Sequence, residues 1–327
     1  MNMNKIAYTL MLFCLSGSPV MATAQQTAAT KIQKTDISFL SGGLLVKAWF
    51  ITPADTPAKK LPCIVMGPGF SGTKECNYQF FAYHFAEEGY AVLLFDYPNF
   101  GESAGSIRGE ADPWQQIQCY RDGISWAAAH PLIDANRIGV WGGSYSGGHV
   151  LVVSATDPRV KCVVAMTPFI SGSYYVKKLP PDTKNFMYQQ FQRDRLTRIQ
   201  GGEPAKIPVA TKEGKQFSAI FSPHAWTFIQ SFSEYAPRYE NLVTLKSLEM
   251  QLEYEPGHYV QDMGTKPKLF IIAKNDELIP EQLIMETYQK APEPKKVAYL
   301  EGHHFSPYMS KLDEAAHLAI EWFKANL

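Results

Sequence analysis

Three observations predict an α/β fold with a mostly parallel central sheet. Short apolar runs alternate with stretches of helical periodicity. The runs are apolar at nearly every position, as strands covered on both faces must be. One of them leads through glycines into a serine and then a helical stretch. Ile37 and Leu44 to Ile51 lie in alternating segments and read as two antiparallel edge strands. Cys63 to Met66 is a buried strand ended by glycines, and Tyr78 to Glu88 is a helix with aromatics at helical spacing, stopped by Gly89. Ala91 to Phe95 is a strand ending in Asp96, and Trp114 to Ala129 a helix between Pro113 and Pro131. Arg137 to Trp141, Val160 to Met166, Lys268 to Ala273 and Val297 to Leu300 read as further strands. Helices are expected from about Gly147 to Ala155 and, amphipathic, from Glu314 to Ala325.

From Phe169 to Met263 this rhythm stops. The interval is dense in aromatics and broken by Pro180-Pro181 and Gly201-Gly202. It is far longer than the ~2–6 residues of an ordinary connection in such folds. Inserted between two sheet strands, residues 169–263 are expected to form a mainly helical cap over the carboxyl ends of the strands, where open sheets bind ligands. Residues 25–168 and 264–327 would then be the core.

Lys plus Arg and Asp plus Glu both number 31, so the formal charge is zero. No basic stripe exists for a nucleic-acid backbone or an anionic membrane, and neither partner is expected. The N-terminus reads as an export signal. Lys5 is followed by the apolar stretch Ile6 to Leu15 and by Ala22-Thr23-Ala24, an A-x-A-like cleavage site. The apolar stretch is too short for the ~20 residues of a membrane span. Residues 1–24 are thus expected to be removed, leaving a periplasmic or secreted chain without a stable anchor. Of the remaining cysteines, Cys63 and Cys162 sit in strand contexts and read as core residues. Cys76 and Cys119 would be free to pair in an oxidising compartment. No C-x-x-C spacing marks a structural zinc site.

The segment Arg137-Ile138-Gly139-Val140-Trp141-Gly142-Gly143-Ser144-Tyr145-Ser146-Gly147-Gly148 carries the chemistry. A serine on a sharp strand-to-helix turn has its hydroxyl exposed at the top of the sheet, and small neighbours let the two backbones approach. Ser144 lies at the turn itself, whereas Ser146 would lie one turn into the helix, so Ser144 is the expected nucleophile. A serine needs a base, and the base an acid to hold it. For elbow serines, the acid and then the histidine follow later in the chain. Asp276 directly follows the strand ending at Ala273, with Glu277 as its competitor. His303 and His304 follow the last strand. Backbone N–H donors for an oxyanion are expected from Tyr145, after the nucleophile, and from Phe70 in the loop Gly67 to Gly72. That loop also matches G-x-G-x-x-G with Asp96 downstream, the outline of a dinucleotide site. Pro68 removes one N–H that such a site would use, and a dinucleotide would leave Ser144, Asp276 and the histidines unexplained. Asp96 is expected to brace its loop and His149 to be core. His224 lies among cap aromatics that could line a pocket.

Taken together, Gly69-Phe70-Ser71-Gly72, Phe95 to Ser103, Gly142-x-Ser144-Tyr145-x-Gly147-Gly148, Asn275-Asp276 and Gly302 to Tyr308 resemble the α/β-hydrolase superfamily. The likeness is to serine hydrolases near the dienelactone-hydrolase and X-Pro-dipeptidyl-peptidase/cocaine-esterase groups. It implies that fold and, through the pattern Gly-x-His-Phe-x-x-Tyr, assigns the base to His304. Dienelactone hydrolases carry cysteine where this chain has Ser144. The peptidase members tend to use a tyrosine hydroxyl in the oxyanion hole where this chain has Phe70, and they add a β-sandwich after the core. The resemblance therefore implies hydrolysis of a carboxylic ester or thioester, and the aromatic-rich cap suggests a moderately apolar acyl or alcohol group. Acyl transfer or peptide cleavage by the same triad is the alternative, and dinucleotide binding or catalytically silent ligand binding is the alternative of another class. No metal or organic cofactor is implied.

Overall fold

The computed structural model describes residues 31–55, 59–213 and 217–327; the expected export signal lies outside them. The chain begins with a hairpin, β1 (Ile32–Ser41) and β2 (Leu44–Pro53), then β3 (Leu61–Gly67), α1 (Tyr78–Glu87), β4 (Ala91–Phe95), α2 (Pro113–Ala129), β5 (Ile133–Gly143), α3 (Tyr145–Thr156) and β6 (Val160–Met166). Next come α4 (Gly172–Lys178), α5 (Pro181–Ile199), β7 (Lys206–Pro208), α6 (Pro223–Phe232), β8 (Leu242–Thr244), α7 (Leu245–Glu253) and a 3₁₀ helix over Pro256–Met263. The chain ends with β9 (Lys268–Ala273), α8 (Glu281–Lys290), β10 (Lys295–Leu300), a 3₁₀ turn and α9 (Leu312–Asn326).

Eight strands form one sheet in the order β1-β2-β4-β3-β5-β6-β9-β10. β1 and β2 are antiparallel to their neighbours and the rest are parallel. β1 and β10 are the edges: β2, expected at an edge too, also pairs with β4. β3, β4 and β9 are apolar at nearly every position because both faces are covered, whereas the start of β5 and the edge strand β10 carry polar residues. On one face Phe81 and Phe85 of α1 and Phe323 of α9 pack with Trp141 of β5. On the other, Ile117 and Tyr120 of α2 and Val150 and Val153 of α3 pack with Val65 and Val140. Burying each such side chain contributes about 1.5–3 kcal/mol. α2 starts where Pro113 can stand without its N–H and the Asp112 carboxylate accepts from Trp114 N–H at 2.9 Å.

The two faces settle the cysteine expectation. All four thiols in the described chain are free and buried. Cys76 belongs to the core under α1 and Cys119 to the core under α2, on opposite sides of the sheet. A disulfide needs Cα atoms within about 7 Å, so the pairing expected for an oxidising compartment does not form. Helix α8 was not visible in the sequence. It buries only Ile284 and Thr287, too short an apolar stripe to register against the background.

Candidate active site

The sheet places the site. From β3 the chain moves to β4 on one side, and β5 adds to the other. The loops after β3 and β5 therefore diverge and leave a crevice at the carboxyl ends of the strands. The loop after β3 carries Phe70, and β5 runs into Ser144. Tyr120 of α2 ties the two strands together: its hydroxyl accepts from Gly67 N–H at 2.9 Å and donates to Trp141 C=O at 2.9 Å. Tyr78 steadies the same loop by accepting from Gly69 N–H at 2.8 Å. Both tyrosines read only as helix residues in the sequence.

Ser144 sits at φ 56° and ψ −119°, a conformation that non-glycine residues occupy only when their surroundings enforce it. The enforcement is visible. Ser144 N–H donates to Met166 C=O at 2.9 Å, and Ser144 C=O accepts from Phe169 N–H at 2.9 Å. A Cβ on Gly142 would overlap the Ser146 carbonyl, and one on Gly147 would meet Pro168 Cα at 2.8 Å. Ser146 is fully buried, and its hydroxyl accepts from Gly143 N–H and donates to Gly143 C=O. It staples the turn and does not face the crevice.

Behind Ser144 stands a relay. Ser144 Oγ lies 2.9 Å from His304 Nε2, and His304 Nδ1 lies 2.7 Å from Asp276 Oδ2. Asp276 Oδ1 accepts from Leu278 N–H at 2.9 Å and Ile279 N–H at 2.7 Å, which fixes the carboxylate. Both His304 and Asp276 are buried. The sequence choices between Asp276 and Glu277 and between His304 and His303 thus have distinct spatial outcomes. Glu277 instead accepts the backbone N–H of His304 through Oε2 at 3.2 Å. Its Oε1 accepts from Ser222 Oγ at 2.5 Å and lies 3.2 Å from His224 Nδ1. The His303 ring stacks on His224, with centroids 3.9 Å apart. Burial and the adjoining His224 lower the pKa of His303.

Phe70 and Tyr145 flank Ser144, their rings in edge contact with centroids 5.3 Å apart. Neither backbone N–H has a hydrogen-bond partner among the described residues. At Tyr145 this is the ordinary state of a helix N-terminus, which favours negative charge. Over these groups lies a cavity with about 40 Å³ of free space, walled mostly by apolar side chains, among them Phe70, Val209, Ile229, Phe228, Phe232 and Phe305. Val209, Phe228, Ile229 and Phe232 come from the segment between β6 and β9.

Other sequence candidates fall outside the relay. Asp96 is fully buried and braces the loop after β3: it accepts from Lys74 N–H at 2.7 Å, Lys74 Nζ at 2.7 Å and Glu102 N–H at 3.0 Å. It is not available to a ribose. Nor do the glycines of that loop open a helix, since α1 begins only at Tyr78. His149 is buried between Tyr254 Oη and Gln116 Oε1 at 2.9 and 2.8 Å, and burial drives its pKa down to about 3. It is a neutral core residue.

A model of the X-Pro dipeptidyl-peptidase (S15) family matches residues 42–306. The chain belongs to the S15 family. Among relatives of this S15 member is the quorum-quenching protein AidA of Acinetobacter baumannii (strain MDR-ZJ06), 29% identical over 85% of this chain and 90% of AidA. Another is the thiohydrolase aneE of Aspergillus aculeatus (strain ATCC 16872 / CBS 172.66 / WB 5094), 28% identical over 74% of this chain and 79% of aneE. A third is GrgF of Penicillium sp., named a polyketide transferase, 25% identical over 84% of this chain and 90% of GrgF. The crystal structure of GrgF, an α/β hydrolase, superposes with a TM-score of 0.76 at 22% identity, covering 90% of this chain and 98% of that one. The S15-family protein has the α/β-hydrolase fold and is an enzyme of serine-hydrolase type.

Proposed function

We propose that the protein hydrolyses a carboxylic ester or thioester through an acyl-enzyme on Ser144, with residues 169–263 as a cap over the site. The observation that carries this is the relay from Asp276 Oδ2 through His304 to Ser144 Oγ, at 2.7 and 2.9 Å, on a serine held at φ 56°. His304 Nε2 takes the hydroxyl proton as Ser144 Oγ attacks the acyl carbonyl. Asp276 keeps the proton on Nδ1 and stabilises the imidazolium. The Phe70 and Tyr145 N–H groups receive the oxyanion. His304 returns the proton to the departing alcohol or thiol, then draws one from the water attacking the acyl-enzyme and passes it to Ser144 Oγ as the acid leaves.

The cavity supports an apolar substrate group. About 40 Å³ of free space holds roughly three water-sized groups, so a short chain fits without displacing the cap. Similarity to a protein named thiohydrolase favours thioesters among the leaving groups. Similarity to a protein named polyketide transferase favours a second reading, in which an alcohol takes the acyl group in place of water. We also propose export after cleavage near Ala24; a mature chain of intact mass beginning at Met1 overturns that.

A fluorophosphonate probe with peptide mapping tests the site. Labelling is expected at Ser144 and is expected to disappear in His304→Ala. A folded protein that labels elsewhere, or not at all, overturns the assignment. Ester and thioester panels run with and without added alcohol then separate hydrolysis from transfer.

A further inference from the structure

We propose that His224, Glu277 and His303 form a binding site for a divalent cation of the zinc class at the rim of the cavity. The three come from separate parts of the chain: the first turn of α6, the loop after β9 and the loop after β10. Each offers one ligand atom, and these atoms all lie within 4.8 Å of one another. Two imidazoles and one carboxylate are a set that zinc takes readily, leaving a fourth position for water. Magnesium and calcium prefer oxygen alone.

The geometry is close to what coordination requires. Tetrahedral zinc with ligands near 2.05 Å sets them about 3.3 Å apart. His224 Nδ1 and Glu277 Oε1 already stand 3.2 Å apart. No separation in the trio therefore needs to close by more than about 1.5 Å, within reach of side-chain rotations that unstack the two rings. His303 Nδ1 accepts from Phe305 N–H at 3.2 Å, which fixes the ring's orientation; zinc bound at Nε2 displaces the proton that this tautomer places there. Outer partners that orient metal ligands are also present: Ser222 Oγ donates to Glu277 Oε1, and His304 N–H to Oε2. The site has access to solvent, with the His224 side chain 46% exposed and that of Glu277 27%.

An ion there ties α6, whose Ala225, Phe228 and Ile229 wall the cavity, to the two loops that carry Asp276 and His304. It acts as a clasp between the cap and the core. This site stands whether or not Ser144 is the nucleophile, because its donors are not those of the relay.

Zinc chloride is titrated calorimetrically into the full chain in a magnesium-containing buffer, with thermal melts run alongside. The expected result is one saturable zinc per chain and a rise in Tm. His224→Gln and His303→Gln are each expected to weaken binding by roughly tenfold or more and to abolish the Tm rise, with the zinc-free Tm kept. Should either variant melt early without zinc, His224→Asn, at the more exposed position, reads the same donor. Absence of saturable zinc binding overturns the proposal. So does wild-type affinity in any of these variants, which places the ion elsewhere, for example at His84–Asp313 or His317–Glu321.

Discussion

Replacing Asp276 with asparagine isolates the electrostatic part of the relay from its shape. Asp276 Oδ1 accepts from Leu278 and Ile279 N–H, while Oδ2 faces His304 Nδ1. Asparagine keeps its oxygen on the two N–H groups, since the flipped amide would strand both buried donors at about 1–3 kcal/mol each. Its NH₂ then points at Nδ1. The imidazole must accept there, which moves its proton to Nε2, facing Ser144 Oγ, and the base is lost. The imidazolium also loses its counter-charge. At 2.7 Å and an effective dielectric of about 20, that attraction is about 6 kcal/mol. A loss of this size corresponds to on the order of 10⁴ in rate. The assay is kcat on a short-chain ester together with the rate of fluorophosphonate labelling, with Tm measured in parallel. Both rates are expected to fall by about 10⁴ with Tm almost unchanged. An Asp276→Asn enzyme within tenfold of wild type, with Glu277→Gln inactive instead, would refute the assignment of the acid.

Three further outcomes follow from the packing. Phe228→Ala opens the cavity, so the optimum along a series of p-nitrophenyl esters is expected to move to longer acyl chains; an unchanged optimum means Phe228 does not bound the chain. Lys74 is buried against Asp96, Glu102 and Glu75; burial opposes its charge, yet the three carboxylates together, Asp96 foremost, outweigh burial and raise its pKa. Lys74→Met leaves the Asp96 carboxylate buried without its cation and is expected to cost about 3–5 kcal/mol in urea unfolding, whereas a cost under 1 kcal/mol would show the cluster to be dispensable. His149 stays neutral in the folded protein down to about pH 3, against an ordinary value of 6.5. Below that value the unfolded chain binds a proton that the folded chain refuses, so stability is complete above pH 6.5 and falls by about 1.4 kcal/mol per unit as pH drops toward 3. Unfolding measured from pH 7 to 4 is expected to show a shallower acid limb in His149→Gln; parallel limbs would remove His149 from the account.

What the sequence determined by itself is local or periodic. Strands such as Ala91–Phe95 and Lys268–Ala273 are legible because a strand buried on both faces must be apolar at nearly every position. The elbow at Ser144 is legible because a turn this tight needs small residues at Gly142 and Gly147. Asp276 and His304 are legible because the fold brings strand ends to one rim, so a residue just past a strand is already near the site. Tertiary structure decided what depends on which side chains meet across distant segments. It sent Ser146 into the turn and Ser144 toward His304, put Glu277 on the backbone of His304, and separated Cys76 from Cys119 by a sheet. It also brought His224 of α6 against His303 and Glu277, and set Tyr120 across β3 and β5. No local pattern records such meetings: sequence periodicity reports which face of an element is buried, while packing alone determines what lies against that face.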